Sequence, residues 1–361
     1  MFAAARLGGL VQLFRSRVRV TCCFAFLTLM ILTNDVLAQS REVTSPVPYE
    51  PMSFRHAGVT EAWTKFAKVL SFGKGQTLAL LDDGCRPDMP EWNAVINGVP
   101  KTCVRYDAVD GDDDPRHEGR GYHGSTIGHP SSLNYDGKRG VAFNNQIAIV
   151  RGLECCHCEI KDSGSLAKAL QWVIDHHQEH KITTVNLAPV DDQEHAEPVD
   201  TEIGPKLTKL RELGIWVSAP AGNHDFTKGI SWPASQPNCF AIGAVKPRDI
   251  TEAGNDEVYL DRHKKIDLVV PAAATSSSNA IICGSAMLLR EAIEKSGYDW
   301  KPDGKNLPEA MMAIFQKTGK AVHDPGTNLT FKRLDLVAAL ELVTRDTSRD
   351  HDSGTKPDLR K

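Results

Sequence analysis

Thr77-Leu78-Ala79-Leu80-Leu81-Asp82-Asp83-Gly84 is the stretch from which the rest of this 361-residue chain can be read. Residues 77–81 form an apolar run of strand length that stops on an Asp-Asp-Gly turn. An apolar run without polar alternation describes a strand covered on both faces, as in a parallel sheet. Functional side chains in such sheets collect just past the carboxyl ends of the strands. Asp82 occupies that place, and a carboxylate directly after a buried strand has to be hydrogen-bonded or paired. Taken alone it reads as a helix cap or turn residue, since Asp-Asp-Gly is a common turn.

The segments around this run alternate in type. Residues 146–151, 183–187, 215–219, 239–245 and 266–270 are short apolar runs. Residues 165–177 carry Leu166, Leu170, Val173 and Ile174 at helical spacing, and 203–213 carry Ile203, Leu207 and Leu210. A longer segment, 280–289, is apolar on every face, and helical patterns close the chain at 307–318 and 333–343. Strands alternating with helices imply crossover connections. The expectation is one α/β domain over 73–345, a three-layer αβα arrangement around a doubly wound, mostly parallel sheet. Residues 39–72 read as an N-terminal arm with a short amphipathic stretch, and 346–361 as a frayed tail.

At the amino end, Arg6, Arg15, Arg17 and Arg19 precede the apolar run 22–32, and Val36-Leu37-Ala38 follows. That order reads as a signal peptide, 1–38, cleaved near Ala38. The run has about half of the ~20 residues a bilayer span needs. Export to the periplasm or the medium follows as an expectation, with no membrane contact after cleavage. A formal net charge of -4 gives no reason to expect nucleic acid as a partner. Seven cysteines lie beyond the signal: Cys85, Cys103, Cys155, Cys156, Cys158, Cys239 and Cys283. An oxidising compartment would pair some, and the odd number leaves at least one free. The Cys155-Cys156-His157-Cys158 cluster is too crowded for a structural zinc site and lacks a second ligand pair.

Three further residues invite chemistry. His123 stands in Gly121-Tyr122-His123-Gly124, where flanking glycines allow close backbone approach. Ser276 stands in Ala274-Thr275-Ser276-Ser277-Ser278-Asn279-Ala280, at the start of the all-apolar helix, where free amides and the positive dipole end favour a nucleophile and an adjoining oxyanion. Asn223 ends Val217-Ser218-Ala219-Pro220-Ala221-Gly222-Asn223 and can donate its amide to an oxyanion. Each also has an ordinary reading as a loop histidine, a helix cap or a turn residue.

Together these stretches resemble the subtilisin-like serine peptidase family, from about Gly73 to Leu336. Residues 78–84 are similar to the family's catalytic-aspartate block, and Asp107–Pro115 with Tyr122-His123-Gly124-Ser125 to the segment leading into its histidine. Residues 217–223 are similar to the block ending in the oxyanion asparagine. Ala274-Thr275-Ser276, with Gly284 and Leu288-Leu289, is similar to the serine-bearing helix. The chain order Asp, His, Ser also differs from the α/β-hydrolase order. The resemblance implies a monomeric serine endopeptidase acting on peptides or proteins, with Asp82, His123 and Ser276 catalytic and Asn223 in the oxyanion hole. It further implies an extended substrate lying against Asn186-Leu187-Ala188. No cofactor is required, and calcium is an expectation at Asp107, Asp110, Asp112, Asp113 and Asp114. Asn328-Leu329-Thr330 fits a glycosylation sequon.

The chain departs from that pattern in several places. Ser125-Thr126 stand where the family has Thr-His, and Pro130 should cut the following helix short. Ala274 and Ala280 replace a Gly and a Pro, Ala188-Pro189-Val190 stand where the family's substrate strand ends in Ser-Leu-Gly, and a long pro-domain ahead of residue 73 is not expected. The alternative function is therefore a weak or inactive binding protein on the same fold.

Overall fold

The computed structural model describes residues 46–86, 88–116, 123–154 and 163–345. The expected signal peptide, the tail and the Cys155–Cys158 cluster lie outside the described residues. Among those described, Cys85, Cys103, Cys239 and Cys283 are free thiols, and no helix is long and apolar enough to cross a membrane.

The centre is a ten-stranded sheet. Its strands are β1 (Thr77–Asp82), β2 (Thr102–Asp107), β3 (Gln146–Arg151), β4 (Ile182–Leu187), β5 (Trp216–Pro220), β6 (Phe240–Val245), β7 (Val258–Tyr259), β8 (Leu268–Pro271), β9 (Lys320–Asp324) and β10 (Leu329–Arg333). They lie in the order β2-β3-β1-β4-β5-β6-β8-β10-β9, with β7 beside β6. Every neighbouring pair is parallel except β6 with β7 and β9 with β10. The order doubles back at β1, so the carboxyl ends of β1, β3 and β4 form the crevice in which open α/β sheets place their sites.

Helices cover both faces, as the apolar runs require. These are α1 (Pro51–His56), α2 (Val59–Lys65), α3 (His123–Ile127), α4 (His129–Ser132), α5 (Ser163–His176), α6 (Ile203–Glu212), α7 (Thr275–Ser296), α8 (Leu307–Thr318) and α9 (Leu336–Thr344). On one face Leu166 and Leu170 of α5 and Leu207 and Leu210 of α6 meet Leu81, Val150, Val185 and Val217. On the other, α7 runs across the sheet with α8 and α9, and Ile281, Ile282, Met287 and Leu288 have no exposed surface. The three-layer expectation is met.

Three strands had no apolar signature. β2 is an edge strand with five of its six residues only half-buried. The β9–β10 hairpin alternates exposed and buried residues, and its second strand ends at Arg333, inside the stretch expected to be helical. Asn328 sits exposed in that hairpin turn. Residues 46–72, read as an arm, are part of the core. Phe54, Ala57, Val59, Ala62 and Trp63 are buried in the same cluster as Leu336, Val337 and Leu340 of α9. Leu336 N donates to Ala57 O at 3.1 Å, and Trp63 Nε1 to Val141 O at 3.0 Å.

The short helix expected after His123 is two pieces. α3 ends at Ile127, Gly128 intervenes, and Pro130 sits in the first turn of α4, where a missing N–H costs nothing. A Cβ on Gly128 would stand 3.1 Å from Leu80 and 3.2 Å from Trp92, so the break lets the chain cross close over β1.

Candidate active site

Asp82 is the last residue of β1 and is buried. Its Oδ1 accepts the Asp83 N–H at 2.7 Å, and its Oδ2 accepts from His123 Nδ1 at 2.7 Å. With Nδ1 as donor, the far ring nitrogen, Nε2, is left with its lone pair as base. The contact needs α3 pressed against the end of β1. A Cβ on Gly124 would lie 2.3 Å from Gly84 O and 2.9 Å from Asp82 Cβ, so that residue has to be glycine.

Asp83 was not among the residues singled out from sequence, yet it holds α3 in place. It is fully buried, and its two oxygens accept the backbone N–H groups of His123 at 3.0 Å and Gly124 at 2.8 Å. It therefore binds the amides that open the helix carrying His123, from 40 positions away. Burial, then the neighbouring Asp82 charge, push its carboxyl up to about 7, against the opposing pull of those two amides. The doubled aspartate at the end of a buried strand was the available signal.

Ser276 lies half-buried in the first turn of α7. Ser278, two residues on, is fully buried and donates its hydroxyl to Val270 O at 2.9 Å, which removes it as a nucleophile. Ala274, at the helix N-cap, has φ -148° and ψ 157°, extended backbone that any residue adopts, so the absent glycine leaves no strain. Asn279, one turn on, is fully buried. Its amide donates to Asn186 Oδ1 at 2.7 Å and to Ser218 O at 3.0 Å.

Asn223 follows β5 and is exposed. Its Oδ1 accepts from Thr275 N at 3.0 Å and from Thr275 Oγ1 at 2.9 Å. The carbonyl end is thereby turned toward α7, which leaves the NH2 as the group available to a ligand. Thr275, next to Ser276, also accepts from Gly222 N at 3.3 Å. Thr275 too was missed from sequence, its role being carried by a contact 52 positions away.

The substrate segment expected at Asn186–Ala188 needs correction. Asn186 is paired on both sides, with Leu80 of β1 and Ser218 of β5, so it has no free edge for another strand. Leu187 and Ala188 are likewise buried. The chain leaves the sheet only after Ala188, where Pro189 offers no donor.

The calcium expectation also fails a test of fit. Asp107 and Asp110 converge on the guanidinium of Arg151, each at 2.7 Å from Nη1, and Arg116 O accepts from the same nitrogen at 3.0 Å. Asp114 pairs with Arg116. A fixed cation already fills the space between the carboxylates, and no group of three or more His, Cys, Asp or Glu converges among the described residues. The residues present do not fit calcium there.

Comparison with known proteins agrees with this architecture. No curated protein matches the chain. A solved structure titled as proteases from Pseudoalteromonas arctica PAMC 21717 superposes with a TM-score of 0.60 at 17% identity, covering 83% of this chain and 100% of that one, a likeness of fold. The Subtilase family profile matches residues 73–306, more than half of the sequence and all of the site just described. The chain belongs to the subtilase family of serine peptidases.

Proposed function

We propose that this chain is an exported serine endopeptidase that cleaves peptide bonds through an acyl-enzyme, using Asp82, His123 and Ser276. The observation that carries this reading is the 2.7 Å bond between Asp82 and His123 Nδ1 at the carboxyl edge of the sheet. In the mechanism, Ser276 Oγ attacks the carbonyl and His123 takes its proton, later passing it to the leaving amine. Asp82 holds the imidazole and stabilises the imidazolium. The developing oxyanion is met by the Asn223 amide and the Ser276 backbone N–H. No metal or cofactor enters any step. The substrate is a peptide or protein segment, the chain acts as a monomer, and its place of action is the periplasm or the medium.

A fluorophosphonate probe tests this directly. The expected result is one covalent adduct on Ser276, absent in Ser276→Ala. Folded wild-type protein that forms no adduct would instead be a binding protein on a subtilase scaffold. Release of an internal peptide fragment, rather than single terminal residues, checks the endopeptidase assignment.

A further inference from the structure

Asp261 lies between β7 and β8, far in sequence from the loop that carries Asn223 but packed against it. It is fully buried. Its Oδ1 accepts the backbone N–H groups of His224 at 2.8 Å and Phe226 at 3.1 Å. Its Oδ2 lies against Gly222, where a Cβ would be only 2.1 Å from that oxygen and 2.5 Å from Ser231 Oγ. The carboxylate thus occupies the space a side chain at 222 would need, and Gly222 has φ +119° besides. The next backbone repeats the attachment: Arg262 N donates to Phe226 O at 2.7 Å.

One carboxylate therefore touches residues 222, 224 and 226, on both sides of Asn223. The Asn223 side chain itself is fixed by Thr275. An oxyanion donor contributes only if it is already aimed when charge develops, and a shift well under 1 Å is enough to weaken it. The geometry points to Asp261 as the positioning residue for Asn223, clamping the backbone of 222–226 so that the amide faces the reacting carbonyl. This inference rests on the peptidase reading of the site, and Asp261 itself touches no substrate. Burial raises its carboxyl to about 6, against the pull of the Phe226 and His224 amides. A carboxylate kept at that cost is consistent with a role beyond packing.

Asp261→Ala leaves the His224 and Phe226 N–H groups without their acceptor, whereas Asp261→Asn keeps one acceptor oxygen. We expect Asp261→Ala to lower kcat by about tenfold or more with KM changed less than about twofold, and Asp261→Asn to recover most of the loss. In an Asn223→Ala background the same change should cost less than about twofold, because the donor it aims is gone. Amide exchange at His224 and Phe226 should quicken in Asp261→Ala. Wild-type kcat in that variant, a full multiplicative loss on top of Asn223→Ala, or unchanged exchange would each overturn the inference. Asp261→Ser carries the same comparisons if the alanine variant does not fold. Should the wild type form no adduct at Ser276, the peptidase reading falls, while exchange at the two amides still decides whether Asp261 clamps the loop.

Discussion

Two carboxylates follow one another at the end of β1, and each has a different task. Asp82 meets the imidazole, and Asp83 meets the backbone that presents it. Since burial raises Asp83 above its unfolded value, folding takes up a proton between about pH 4 and about pH 7. Its stabilising contribution is complete below about pH 4 and lost as pH rises through about 7. Asp83→Asn should therefore flatten the dependence of the urea midpoint on pH across that window. An unchanged slope would remove Asp83 as its source. Asn223→Ala should lower kcat by about 10²–10³-fold with little change in KM, the range known for subtilisin's own oxyanion asparagine. Steady-state kinetics on a peptide substrate checks this. At this scale the sequence exposed the residues that face a ligand, because their neighbours form recognisable blocks. It concealed Asp83, Thr275 and Asp261, whose partners are backbone or amide groups about 35 to 52 positions away.

Among the elements, the end of β3 carries the cation on which the Asp107–Asp110 turn closes. Arg151 stands between Asp82 and Asp107 in the strand register and draws Asp107 and Asp110 together. Chelator should leave the melting temperature unchanged. Arg151→Met, which strands the fully buried Asp107, should cost about 3–5 kcal/mol by urea denaturation, as breaking a buried pair does. α7 makes a second tight approach. A Cβ on Gly284 would lie 2.7 Å from Val141 Cβ and 3.1 Å from Ser131 O. Gly284→Ala should destabilise by about 1–3 kcal/mol, the usual cost of overpacking, and a variant as stable as wild type would show that α7 can shift outward. The inner strands and α7 were legible here because every face is apolar, and the covering helices because their apolar residues recur at helical spacing. β2 and the β9–β10 hairpin were not, since edge strands keep polar residues toward water and lose the pattern.

In the whole molecule, the segments flanking the family match complete one another. α1 and α2 precede it, α9 follows it, and all three bury their apolar faces together. Gly58, with φ +79°, brings the turn between α1 and α2 against Val337, and Lys65 pairs with Glu341. His56 Nε2 meets Asp256 Oδ1 at 2.9 Å, and Arg333 Nε reaches the other oxygen at 2.7 Å. Sequence composition marked residues 39–72 as an arm because the partner of their short amphipathic stretch is nearly 300 residues further on. Removing 46–66 or removing 336–345 uncovers the same surface, so the two deletions should lower the melting temperature similarly and add little to each other. This closure also sets an order in time. Synthesis runs from the amino end, so residues 46–66 are made well before their partners in α9. Until α9 has emerged, a growing chain leaves the surface of α1 and α2 that α9 buries without its cover.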